Sequence, residues 1–135
     1  MNATLNKDLV RRFYGAIQKE DYATAASLCH DEFMFYLQLD TPIPGTEGFI
    51  RSEKKNFDAF AGFRFTIEAL FAEANQVAAY MIFDGKQSGE CDGMAPTGNR
   101  VRFSLMMLLT IAEGKIIEKR AHFDRMDIHR QLAAA

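Results

Sequence analysis

The stretch 101–123, VRFSLMMLLTIAEGKIIEKRAHF, decides the fold. It opens on a long, almost wholly apolar run, residues 101–111, with Arg102 and Ser104 as its polar exceptions. Glu113-Gly114-Lys115 then reads as a tight hairpin turn, and residues 116–123 return as a second strand. Strands joined by so short a turn lie side by side and antiparallel.

Working outward, the same period of two continues upstream. Phe63, Phe65, Ile67, Ala69 and Phe71 alternate with Arg64, Thr66 and Glu68. Ala74-Asn75-Gln76 turns the chain into a further strand, residues 77–83, and a glycine-rich segment, 85–98, follows. Nearer the N-terminus the period lengthens. Leu5, Leu9, Phe13 and Ile17 form one helical stripe, with Asn2, Thr4 or Asn6 as its cap. Asp21 caps a second helix over residues 22–29. Residues 33–39 read as a short strand, which Thr41-Pro42-Ile43-Pro44-Gly45 breaks. A third helix covers 46–60 with Thr46 as its cap, and a short helix, 125–132, closes the chain. Helices followed by a run of strands predict a single α+β domain over residues 1–135. A strongly twisted sheet wrapped around helices on one face would leave an apolar pocket between the layers.

The bulk composition supports one ordinary globular domain. The 135 residues are 48% hydrophobic and 25% charged, with 12 phenylalanines and no tryptophan. The formal charge is -2 and the basic residues are scattered, so no nucleic-acid partner is expected. The two cysteines, Cys29 and Cys91, have no metal-ligand spacing. No metal is expected, and the thiols fit a reduced, cytoplasmic protein. No secretory leader or membrane-spanning run is recognisable, so no membrane association is expected.

One constellation carries candidate chemistry. Glu118, Arg120, His122 and Asp124 share one face of the last strand, and Lys119, Ala121 and Phe123 share the other. If the first face lines the pocket, its ionisable groups suit removal of a proton next to a carbonyl. A carboxylate enclosed by apolar groups is a stronger base, and the resulting enolate needs a donor or a positive charge at its oxygen. Asp124 takes the base role, with His122 as donor or second base. Arg120, Glu118, Tyr36 and Tyr80 are the candidate ligand-binding groups, Arg120 orienting a carbonyl or carboxylate. Asp124 reads equally as the N-cap of the following helix, and Arg120 as an ion-pair partner of Glu118 or Asp124. With the register inverted, His122 would face solvent.

Several segments resemble one family. Residues 89–101, GECDGMAPTGNRV, resemble the G-x-x-x-G-x-x-P-T-G-K-x-V segment of SnoaL-like polyketide cyclases, and 112–118, AEGKIIE, resemble their D-G-K-I-x-E. Asp124, the pair Gln131-Leu132, and Pro42-Ile43-Pro44-Gly45 ahead of a helix fit the same pattern. The resemblance implies the nuclear-transport-factor-2-like (cystatin-like) cone, in which N-terminal helices pack on a strongly curved sheet around a deep pocket. It also implies no metal, no cofactor, and often a homodimer through the outer sheet face. In the characterised cyclases it implies intramolecular aldol ring closure with an Asp as acid and base, which maps onto Asp124. Two positions depart: Arg120 stands where the family usually has Trp, and Tyr36 where ketosteroid isomerases carry a catalytic Asp. The expected function is a cofactor-free cyclase, lyase or isomerase acting on a small hydrophobic carbonyl compound. The alternatives are a pocket that only binds such a ligand, or an interaction module whose pocket is filled by Phe and Met side chains.

Overall fold

The computed structural model describes residues 2–37 and 41–134. Helix α1 (Ala3–Gln18) starts where Asn2 Oδ1 accepts from the Leu5 N–H at 3.1 Å, and it buries Leu9, Val10, Phe13 and Ile17. Leu5, at the head of the predicted stripe, stays exposed. Asp21 caps α2 (Tyr22–Ser27) as expected, accepting from the Thr24 N–H at 3.2 Å and its hydroxyl at 2.7 Å.

Strand β1 (Cys29–Leu37) begins earlier than its alternation suggested. Its start is recruited by tertiary pairing: the Ile116 N–H donates to the Leu28 carbonyl at 3.0 Å. The predicted end of this strand, Leu39, lies outside the described residues. A second difference follows. Pro42–Pro44 forms strand β2, antiparallel to β1, where the sequence reads only a break. An edge strand tolerates proline because its outward N–H groups need no partner. Helix α3 (Gly45–Asp58) starts at Gly45, in the left-handed region at φ +79°, without a side-chain cap, so Thr46 does not play that part.

The remaining elements are β3 (Arg64–Glu73), β4 (Gln76–Lys86), β5 (Arg100–Ala112), β6 (Lys115–His122) and α4 (Arg125–Ala133). The sheet has six strands in the order β2-β1-β6-β5-β4-β3. Only the β1–β6 pairing is parallel, so the sheet is mixed. Glu113 and Gly114 join β5 to β6 with φ +54° and +74°, the two-residue turn whose twist matches a hairpin. Helices α1 and α3 pack on the inner face of this curved sheet, giving the α+β architecture expected. Gln18 ties α1 to the sheet edge, accepting from the Phe65 N–H at 2.6 Å and donating to the Phe63 carbonyl at 2.9 Å. No helix among the described residues is long and apolar enough to cross a membrane.

Two bulges control which side chains face inward. On β3 the pairing steps from Ile67 with Met81 to Ala69 with Tyr80, so Glu68 is an extra residue. On β6 it steps from Ile116 with Ile111 to Glu118 with Thr110, so Ile117 is extra. Each extra residue exchanges the faces of everything beyond it. Phe65 is therefore buried while Phe71, predicted on the same face, is 68% exposed.

Candidate functional site

A cavity of about 250 Å³ lies between α3 and the inner sheet face. Its walls are largely aromatic. Phe57 stacks on Phe83 at 5.9 Å, and Phe35, Phe60, Phe65 and Phe103 extend the lining. An engineered apolar cavity of about 150 Å³ admits benzene, so this one suits a ligand of about ten non-hydrogen atoms.

Two buried charged side chains line that space from opposite layers, Glu53 from α3 and Lys119 from β6. Both are buried, Glu53 at 8% and Lys119 at 1% exposure. Glu53 is placed by its helix, since Phe49, Glu53 and Phe57 fall on one stripe and all three are buried. Lys119 is placed by the Ile117 bulge, which turns it inward together with Ala121. Its amine is ringed by aromatic faces: Phe35 at 4.7 Å, Phe49 at 5.4 Å and Tyr14 at 5.8 Å. Among the described residues its hydrogen-bond partner is the Met107 sulfur at 3.7 Å, and no ion pair closes between it and Glu53.

Burial sets the electrostatics. It pushes the Glu53 carboxyl up, with Lys119 pulling it back in part. It pushes the Lys119 amine down, opposed by Glu53 and Cys29. Burial raises the Tyr14 phenol well above its usual range, with Glu53 adding to the rise, and among the described residues the Tyr14 hydroxyl has no hydrogen-bond partner. The Cys29 thiol is pushed up to about 12 by burial, against the pull of Lys119 and Lys115, and is an inert thiol.

Residues 87–98 form a loop that supplies part of the cavity wall. The Gln87 amide organises this loop: its nitrogen donates to the Gly89 and Met94 carbonyls, each at 3.0 Å, and its oxygen accepts from the Thr97 N–H at 3.3 Å. The loop brings Cys91 and Asp92 to the lining beside Arg125 and Lys55. Asp92 is in turn held by His129 Nε2 at 3.0 Å.

The residues singled out from sequence lie elsewhere, and that expectation is corrected. Glu118, Arg120 and His122 do share a face, but it is the outer face of the sheet. Arg120 pairs with Glu118 at 2.6 Å and stacks on the Tyr36 ring at 4.0 Å, so these three make a surface cluster. Tyr80 lies on the same outer face, paired with Met106 and 39% exposed. His122 is exposed beside a shallow depression that also holds Asp124 and Asp127. Asp124 is the N-cap of α4: its Oδ1 accepts from the Asp127 N–H at 3.1 Å, and Arg130 approaches Oδ2 at 3.8 Å. Of the alternatives open in the sequence, capping for Asp124 and ion pairing with Glu118 for Arg120 are the arrangements present. The physical reason is the extra residue Ile117. Counting by twos from buried Ile116 leads to Glu118 and Arg120, whereas the bulge hands the inner positions to Lys119 and Ala121.

A curved mixed sheet closed by helices around an aromatic cavity defines the nuclear-transport-factor-2-like class of folds. The family profile of SnoaL-like polyketide cyclases matches residues 7–132, and the chain belongs to that family. A candidate SnoaL-like polyketide cyclase from Jannaschia sp. CCS1 superposes with a TM-score of 0.91 at 22% identity, covering 98% of this chain and 94% of that one. AclR, a candidate hydroxylase from Streptomyces galilaeus, gives 0.88 at 20% identity over 97% of each chain. IdmH, a candidate polyketide cyclase from Streptomyces antibioticus, gives 0.83 at 20% identity over 96% of this chain and 99% of that one. At such identities the likeness establishes the fold alone. A comparison with curated proteins gave no match.

Proposed function

We propose that the protein is a cofactor-free lyase or isomerase of the cyclase type, which removes a proton next to the carbonyl of a small hydrophobic, polyketide-like compound. One observation carries this reading: a buried carboxylate, Glu53, and a buried amine, Lys119, line a single aromatic cavity without pairing to each other. Burial that raises the Glu53 carboxyl makes its carboxylate a better base near neutral pH. A positive charge on Lys119 would stabilise the enolate oxygen as it forms. Asp124 and His122 lie outside the cavity lining, so the base role moves to Glu53.

The test uses 2-tetralone in D₂O, with exchange of its α-protons followed by NMR. Wild-type protein should accelerate exchange, Glu53→Gln should lose about 10²–10⁴-fold of that rate, and Asp124→Asn should keep it. Exchange that survives Glu53→Gln would overturn the assignment. Saturable binding without any exchange would favour the ligand-binding alternative.

The same proposal includes a homodimer through the outer sheet face. Phe71, Tyr80, Met106 and Leu108 are exposed on neighbouring positions of β3, β4 and β5. A contiguous apolar sheet surface of this kind is a recognised mark of an interface. Sedimentation velocity should give a dimer for the wild type and a folded monomer for Met106→Glu/Leu108→Glu. A wild-type monomer at micromolar concentration sinks the idea.

A further inference from the structure

The surroundings of Lys119 go beyond what charge stabilisation requires. An ammonium kept for that purpose is ordinarily held by carboxylates and carbonyl oxygens, which keep it protonated. Among the described residues Lys119 is held by neither: its hydrogen-bond partner is a thioether at 3.7 Å and its amine lies over the faces of Phe35, Phe49 and Tyr14. Burial, and not the ring faces, disfavours a proton on the free amine and holds it below its ordinary range. The same aromatic faces stabilise a cation once one is formed in place. Lys119 reaches the cavity in which a carbonyl ligand would sit, and Glu53 lines the same space.

We propose that Lys119 captures the carbonyl of an aldehyde or ketone ligand as an imine, with Glu53 supplying the proton that removes water. This rests on the reading above that the cavity takes carbonyl compounds. The step balances as follows. The neutral amine nitrogen bonds to the carbonyl carbon, and one N–H proton moves to the carbonyl oxygen, giving a carbinolamine. The Glu53 carboxylic acid then protonates that hydroxyl. The carbon–oxygen bond breaks, water leaves, and the nitrogen lone pair forms the iminium double bond. The products are the iminium, water and the Glu53 carboxylate. That carboxylate is now beside an iminium whose α-proton is far more acidic than that of the parent ketone, and removing it gives an enamine.

Benzaldehyde, which has no α-proton, serves as the probe. Full-length wild-type protein is incubated with it and sodium cyanoborohydride, and reduced adducts are mapped by peptide mass spectrometry. Lys119 should be modified at least tenfold faster than the exposed Lys54 and Lys115, and 2-tetralone should suppress the reaction. Modification of the exposed lysines with Lys119 spared overturns the proposal. This map needs no variant, so it decides the matter whatever happens to a substituted protein. Lys119→Arg then separates the two roles, because it keeps the charge without imine chemistry. Loss of 2-tetralone exchange by a hundredfold or more supports the imine. Retained exchange overturns the imine as the route of exchange and leaves proton abstraction standing. Lys119 trapped in a protein that never exchanges 2-tetralone leaves the imine standing and sinks the proton-abstraction reading.

Discussion

Phe49→Ala is expected to lower the stability of the fold by about 3–5 kcal/mol, the range for deleting a fully buried aromatic side chain. Phe49 is 1% exposed and is the ring where three elements meet. It stacks on Phe13 of α1 at 5.7 Å and meets Phe33 and Phe35 of β1 edge-on at 5.5 and 5.0 Å. Each such contact adds to the area term because the ring edge and ring face carry opposite partial charge. The neighbours belong to helix and strand frameworks that relax only in part, so a cavity would remain. Urea titration at fixed protein concentration should show a lower midpoint with the slope unchanged. A loss below about 1 kcal/mol would mean that α3 is not locked to α1 and β1 as described.

Replacing the buried polar pair should act in the opposite direction. Glu53→Leu/Lys119→Met is expected to stabilise the protein by about 1–4 kcal/mol, as apolar replacement of buried ionic groups often does. Its pH dependence follows from the two shifts. Glu53 has a folded pKa above 4.5, so the folded state holds its proton longer. The cost is absent below 4.5, grows as pH rises toward the folded value, and then stays constant. Lys119 has a folded pKa below 10.5, so its cost is absent above 10.5 and grows as pH falls toward the folded value. Both costs are present around neutrality. The gain of the double variant should therefore be greatest there and shrink toward acid and toward alkali. Loss of stability near pH 7 would show that the two groups support the fold, contrary to the argument made for them. Exchange of 2-tetralone should vanish in the same variant, the usual exchange of function for stability.

Much of the fold was legible because long elements repeat their period many times. The stripe Leu9-Phe13-Ile17, the cap at Asp21 and the hairpin at Glu113-Gly114 all stand where the sequence puts them. Strand β2 was not legible, since its two prolines carry no alternation and its pairing with β1 is a tertiary event. The site was less legible than the fold, for two distinct reasons. At Lys119 and Phe71 a bulge changes the phase of the strand, and nothing in Ile117 or Glu68 announces one. At Glu53 the sequence did hold a sign. An acidic residue stands midway between Phe49 and Phe57 on the apolar stripe of α3, where a carboxylate is costly unless it is used.

The bulge at Ile117 also bears on how relatives of this chain are to be compared. Strand β6 carries two complete vocabularies, Glu118-Arg120-His122 on one side and Lys119-Ala121 on the other, and one surplus residue selects which of them faces the cavity. A homologue without that residue would present the other set of positions to its cavity. Its alignment with this chain would need a gap at 117 for interior columns to meet interior columns. Column identity across this strand thus measures spacing before it measures chemistry.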